Sequence, residues 1–109
     1  MKFFPVPLSL ILGPSLALLV LISTTSCTPP AGNPIDGQRW YSMHNCSSCH
    51  GPKGDDGRGP RIAGTHMRFG SFMNRLRTKD DSIMPEYPEE KISKQDAADI
   101  YAFLKSLKK

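Results

Sequence analysis

The sequence predicts a small all-α domain preceded by an apolar leader. No segment of the 109-residue chain shows the sustained alternation of apolar and polar residues that indicates a half-buried strand. Two segments instead space their apolar residues three and four apart, as one face of a helix does. After the apolar start about 75 residues remain, which is enough for one small domain. We therefore expect short helices joined by turn-rich loops.

Residues 1–26 are typical of a secretory signal. Met1 and Lys2 precede an apolar stretch from about Val6 to Ile22, and small polar residues follow it. A membrane-spanning helix needs about 20 apolar residues. This run is shorter and is interrupted by Gly13 and Pro14. The pattern favours an export signal over a permanent membrane anchor.

Cys27 resembles the lipid-modified cysteine of bacterial lipoproteins. Small residues precede it and a Pro-rich stretch follows it, although Thr24 stands where such signals usually carry Leu. We predict a signal over 1–26, a tether over 27–34 and a domain over 35–109. The domain would lie on the periplasmic side of a bacterial membrane, attached through a lipid on Cys27. An ordinary cleaved signal would instead leave a soluble periplasmic protein.

The first predicted helix begins with Asp36 as its N-cap and runs through Asn45 into the cysteines at 46 and 49. The stretch from Gly51 to Gly59 is rich in glycine and contains Pro52, so it is predicted to be a loop. A second helix is predicted after Thr65 by helical spacing of its apolar residues. These are Phe69, Phe72, Met73 and Leu76.

The last predicted helix follows a segment, 83–91, that Pro85 and Pro88 keep irregular. Ser93 with Asp96 three residues later resembles a capping box, and Ile92 can pack on Ala97. The buried face of this helix is predicted to comprise Ile100, Phe103, Leu104 and Leu107.

Cys46, Cys49 and His50 form a Cys-x-x-Cys-His motif, the attachment motif of c-type haem. Two thiols about one helical turn apart can add to the two vinyl groups of a haem, and the histidine that follows can then ligate the haem iron. A thioredoxin-like pair is disfavoured because these cysteines close a helix rather than open one. A zinc site using His44 or His66 lacks the usual second ligand pair. The third cysteine, Cys27, lies at the signal boundary.

The motif and its surroundings resemble the small bacterial monohaem cytochromes c over about residues 36–107. The resemblance rests on Gly37, Tyr41 and the haem motif, on the loop 59–64, on Met84-Pro85 and on the last helix, 99–107. It implies three to four helices wrapped around one covalent haem, with the first and last helices crossing at Gly37. It also implies that the Pro60 carbonyl accepts a hydrogen bond from His50, as metal-bound histidines require of a neighbour.

The sixth iron ligand, on the face opposite His50, has several candidates in the sequence. Met84 is favoured because it lies in an irregular Pro-rich segment and because Met-Pro is a signature of the family. Met67 and Met73 are the other methionines that could reach the iron, and Met73 fits better as a core residue. His66 is the chief alternative, through a bis-histidine site.

These residues predict a single-electron carrier rather than an enzyme, because His and Met ligation leaves no open iron position. Redox partner proteins, such as membrane complexes or an exported oxidoreductase, are expected. The basic residues between Arg58 and Lys79 could steer such partners. No pattern of basic and aromatic residues indicates nucleic acid binding. A haem sensor or peroxidase with an open sixth site, and a cytochrome subunit of an oxidoreductase, remain alternatives.

Overall fold

The computed structural model describes residues 28–80 and 83–108. The predicted signal and Cys27 lie outside the described residues. Within them the chain forms helices and no strands, which confirms the all-α prediction. The four helices are α1 (Pro34–Met43), α2 (Cys46–His50), α3 (Phe69–Arg77) and α4 (Lys94–Ser106). None of the helices in the described part of the chain is long and apolar enough to cross a membrane.

Helix α1 begins two residues before the predicted cap, so the assignment of Asp36 as N-cap is wrong. Asn33 is the N-cap, and its side-chain oxygen accepts hydrogen bonds from the backbone N–H groups of Ile35 (2.9 Å) and Asp36 (3.4 Å). Pro34 suits the first helical position because that residue needs no N–H partner. Asp36 instead lies in the first turn and pairs with Arg39 at 2.8 Å.

The residues just before α1 pack against α4. The side-chain amide of Gln95 donates to the Ala31 carbonyl at 2.8 Å. The Asn33 N–H donates to the carboxylate of Asp99 at 2.8 Å, and Asp99 is buried. Part of the segment predicted as a tether therefore contacts the domain.

Helices α1 and α4 cross at Gly37, as the sequence predicts. A Cβ at Gly37 would overlap the carbonyl oxygen of Asp99, so only glycine allows the two backbones this approach. One turn along, the rings of Tyr41 and Phe103 lie 5.3 Å apart. The crossing holds the first helix, α1, against the last helix, α4.

The cysteine pair does not close α1, contrary to the sequence prediction. Helix α1 ends at Met43, and Asn45 adopts a left-handed conformation with φ 60°. Asparagine tolerates this region better than most residues. The chain therefore turns at Asn45, and the two cysteines occupy the separate short helix α2.

Helix α4 has the predicted start. The Ser93 side chain accepts from the Asp96 N–H at 3.0 Å, and Ile92 and Ala97 are both fully buried. Residues 51–68 and the described part of 78–93 form no regular element beyond turns. The buried core consists of Tyr41, Phe72, Leu76, Ile92, Ala97, Ile100, Phe103 and Leu104.

Candidate functional site

A cavity of about 1050 Å³ lies beside this core. This volume lies just above the range of about 300–1,000 Å³ for pockets that hold small molecules. Helix α2 and the loop after it line one part of the cavity, and the segment around Met84 lines another. Its apolar lining includes Tyr41, Ile62, Phe72, Leu76, Ile100 and Leu104. The cavity therefore suits a large, mainly apolar ligand.

Cys46 and Cys49 both line this cavity, one helical turn apart in α2. Cys46 is half-buried and Cys49 is exposed. Burial raises the pKa of the Cys46 thiol to about 11, and the nearby charge of Cys49 adds to the effect. Reactive redox thiols have lowered pKa values because the thiolate is the nucleophile. The environment of Cys46 thus disfavours a thioredoxin-like module, although α2 does begin at this residue.

His50 presents one ring nitrogen for ligation. Its Nδ1 lies 2.7 Å from the carbonyl oxygen of Pro60, at the wall of the same cavity. A carbonyl oxygen only accepts, so Nδ1 carries the proton and Nε2 keeps a free lone pair. This is the arrangement by which a second hydrogen bond orients metal-bound histidines.

The loop after α2 is held in place by backbone contacts and by Tyr41. The Gly59 N–H donates to the Cys49 carbonyl at 2.5 Å, which brings Pro60 to His50. Gly51 ends α2 with φ 79°, a conformation that favours glycine. The Tyr41 hydroxyl donates to the Gly51 carbonyl at 2.7 Å. This second role of Tyr41 has no sequence signal, because it depends on how α1 lies against the loop.

Burial raises the pKa of Tyr41 to about 12, with smaller contributions from the charges of Cys46 and Asp56. The side chain is 1% exposed, and its hydroxyl is therefore a proton donor across the whole physiological range. Burial also raises the pKa of Tyr87, another residue at the cavity.

Two methionines among the described residues line the cavity, Met84 and Met67. Met84 is half-buried and packs against the core, whereas Met67 is 38% exposed. Met73 packs against the core without lining the cavity. Met84, the methionine that the sequence favours as a ligand, is the more buried of these two cavity methionines.

The histidine alternatives are placed differently. His66 is exposed and is not among the residues that line the cavity. His44 does line it, and its ring packs between Trp40 (centroids 6.4 Å apart) and Tyr87 (6.3 Å). In the described ranges no group of three or more His, Cys, Asp or Glu side chains is arranged to hold a metal ion.

The segment that carries Met84 is attached to α3 and α1 through Tyr87. The Arg77 guanidinium donates to the Tyr87 carbonyl at 2.7 Å, and the Tyr87 N–H donates to the Leu76 carbonyl at 2.6 Å. The Tyr87 hydroxyl reaches the His44 carbonyl at 3.3 Å. Neither Arg77 nor Tyr87 belongs to a motif, so the sequence carries no signal for a role of either residue in the site.

Charged side chains surround the cavity, and most of them are basic. The cations are Arg58, Arg61, Arg75 and Lys91, and Glu86 is the acid. Arg75 is paired with Asp80 at 2.7 Å and Arg61 lies 3.8 Å from Asp55. Acidic neighbours therefore offset part of the basic character that the sequence indicates.

The donors at this cavity fit a c-type haem. Two thiols stand one helical turn apart, the adjacent histidine offers an oriented Nε2, two thioethers are available, and the walls are apolar. Residues 32–104, about two thirds of the chain, match the family model described as cytochrome C oxidase, cbb3-type, subunit III. Comparisons with curated proteins and with solved structures gave no match. The family match spans the haem motif, Met84 and the crossing of α1 with α4, and the chain belongs to this family of small c-type cytochromes, which bind haem c covalently.

Proposed function

We propose that the protein carries single electrons on one haem c bound through Cys46 and Cys49, with His50 and Met84 as axial ligands. The observation that supports this is the meeting of all four side chains at one apolar cavity, with the Nδ1 of His50 bonded to Pro60. Haem supplies one-electron iron chemistry, and a thioether ligand raises its potential. His and Met ligation would leave no position for a substrate.

The chain's own residues would keep this site rigid. Helix α2 sets the spacing of the thiols, Pro60 orients the His50 ring, and Tyr41 ties the loop to α1. The apolar walls would exclude water from most of the cavity, and solvent exclusion is one of the means by which proteins set redox potentials.

Redox partner proteins would dock where the cavity opens. Arg58 and Lys91 are exposed cavity residues without an ion pair among the described residues, and Ile83, another residue of the lining, is fully exposed. An acidic patch on the partner would complement these cations, and such complementarity raises association rates. The family's description also supports a second candidate role, as the cytochrome subunit of an oxidoreductase.

We further propose export to the periplasmic side and a lipid on Cys27. Because Ala31 is already bound to Gln95, only residues 27–30 would separate the lipid from the domain. Four residues span at most about 14 Å, so the domain would lie near the bilayer surface. The mass of the mature N-terminus tests this proposal, since an unmodified terminus at another residue would contradict it.

The ligand proposal is tested by the visible spectrum of protein exported in a host that attaches haem. Methionine ligation to ferric iron gives a weak long-wavelength band. We expect this band in the wild type and in Met67→Ala, and we expect its loss in Met84→Ala, with carbon monoxide then binding readily to the reduced variant.

Met67→Ala is the matched control because it removes the other cavity thioether. Loss of the band in Met67→Ala alone would assign the ligand to Met67. Covalent haem without the band in the wild type, together with ready carbon monoxide binding, would instead favour a sensor or peroxidase.

A further inference from the structure

The segment that carries Met84 has no helix or strand of its own to hold it. We propose that Arg77 is a positioning residue that keeps Met84 at the cavity by fixing the Tyr87 backbone. This inference rests on the proposed ligation by Met84. Arg77 lies at the end of α3, outside the haem motif and outside the cavity lining.

The backbone of Tyr87 is bound to the end of α3 on both of its polar groups. Arg77 Nη1 donates to the Tyr87 carbonyl, and the Tyr87 N–H donates to the carbonyl of Leu76, the residue before Arg77. Both distances are short, at 2.7 and 2.6 Å. Leu76 is buried in the core, so this pair of bonds connects the irregular segment to the buried end of α3.

Burial of Arg77 would carry a cost if packing were its only role. Its Nη2 is buried and has no hydrogen-bond partner among the described residues. A buried donor without an acceptor is unfavourable, and an apolar side chain would avoid that penalty. The compensating interaction is the bond from Nη1 to Tyr87, which is stronger than a neutral one because the donor is charged.

Fixing the backbone of Tyr87 also restricts the position of Met84, because the two residues are joined by a short, stiff segment. Only Pro85 and Glu86 separate the two residues, and proline has a fixed φ. On the other side of Tyr87, the Pro88 carbonyl accepts from the N–H of Ile92, which is fully buried. The segment is thus anchored from Tyr87 onward, and Met84 extends from the anchored end.

The test compares Arg77→Leu and Arg77→Lys with the control Arg39→Leu, all as haem-loaded protein. Arg39 is an exposed arginine of α1 paired with Asp36, so its loss makes the same chemical change away from Tyr87. Leucine is used because it introduces no new thioether. The readouts are the rate of carbon monoxide binding to the reduced protein and the melting of the long-wavelength band, recorded beside helical circular dichroism.

We expect Arg77→Leu to bind carbon monoxide about ten- to hundredfold faster than the wild type, the factor expected for one bond from a charged donor. Its band should disappear at a lower temperature than its helical signal. The carbon monoxide rate of Arg77→Lys should lie between those of the wild type and Arg77→Leu, because lysine keeps a charged donor. Arg39→Leu should match the wild type.

Two results would overturn the inference. One is a carbon monoxide rate in Arg77→Leu equal to that in Arg39→Leu. The other is a band and a helical signal of Arg77→Leu that melt together at a lower temperature, since Arg77 would then stabilise only the fold. If Arg77→Leu does not accumulate, Arg77→Gln, which also lacks the charged donor, takes its place, and a wild-type rate in that variant is equally contradictory. Absence of the band in the wild type would overturn the proposed ligation as well, which separates the two failures.

Discussion

Single hydrogen bonds to backbone carbonyls determine the geometry of this site. The Pro60 carbonyl accepts a hydrogen bond from the His50 ring and orients it. The Gly51 carbonyl accepts from the Tyr41 hydroxyl, and the Tyr87 carbonyl accepts from the Arg77 guanidinium. Each acceptor is a main-chain group in an irregular segment, where no helix supplies an internal partner. Side chains of α1, α3 and the haem motif therefore supply the hydrogen-bond donors for these loop carbonyls.

At the residue scale, Tyr41→Phe should destabilise the haem-loaded domain by about 1–3 kcal/mol, because the Gly51 carbonyl would lose a buried donor. The wild type should also lose stability with rising pH. Folding raises the pKa of Tyr41 from 10.0 to about 12, so the folded state holds this proton more tightly. The contribution is complete below pH 10 and is lost as the pH approaches 12.

Urea unfolding of the two proteins below pH 10 and near pH 12 measures both effects. Tyr101→Phe is the control, because its hydroxyl reaches the Met67 carbonyl at 2.7 Å in an exposed contact. An alkaline loss of stability in Tyr41→Phe as large as that of the wild type would assign the titration to another group.

At the scale of elements, the crossing of α1 and α4 brings the two ends of the domain together. Its closeness depends on Gly37, and the chain then leaves α1 through the left-handed Asn45 so that α2 can start in a new direction. The haem motif therefore lies in a separate helix whose direction is set by the turn at Asn45, and not in an extension of α1.

Gly37→Ala should cost at least about 1–3 kcal/mol, since its methyl group would overlap the Asp99 carbonyl unless the helices separate. Gly70→Ala is the matched control. Gly70 lies in α3, and nothing stands within 4 Å of the place that its Cβ would take, so alanine there should be neutral or stabilising by up to about 1 kcal/mol. Thermal unfolding of the two variants measures the difference, and equal stabilities would contradict a close crossing.

At the scale of the whole molecule, the cavity adjoins the hydrophobic core and shares residues with it. The apolar residues that line it also belong to the hydrophobic core, among them Tyr41, Phe72, Leu76 and Ile100. A domain this small is marginally stable without a staple. The covalent haem would complete the core as well as carry the electron.

Cys46→Ala combined with Cys49→Ala should therefore abolish covalent haem and lower the helical content. Denaturing gels stained for haem and far-ultraviolet circular dichroism measure the two effects. Ser47→Ala with Ser48→Ala is the control, because it changes the residues between the cysteines and leaves both thiols. A double cysteine variant that keeps covalent haem would contradict the attachment, and one with the helical content of the wild type would contradict the structural role.

The helical class, the haem motif and the capping of α4 by Ser93 follow from the sequence because each is a local pattern. The Gly37 crossing follows from the resemblance to the family. The cap of α1 could have been found at Asn33, which precedes a proline. The break at Asn45, the contact of Tyr41 with Gly51, the approach of both Met67 and Met84 to the cavity and the anchoring of Tyr87 by Arg77 were decided only in three dimensions. They join residues distant in the chain or depend on a single backbone angle, and neither leaves a periodic trace in the sequence.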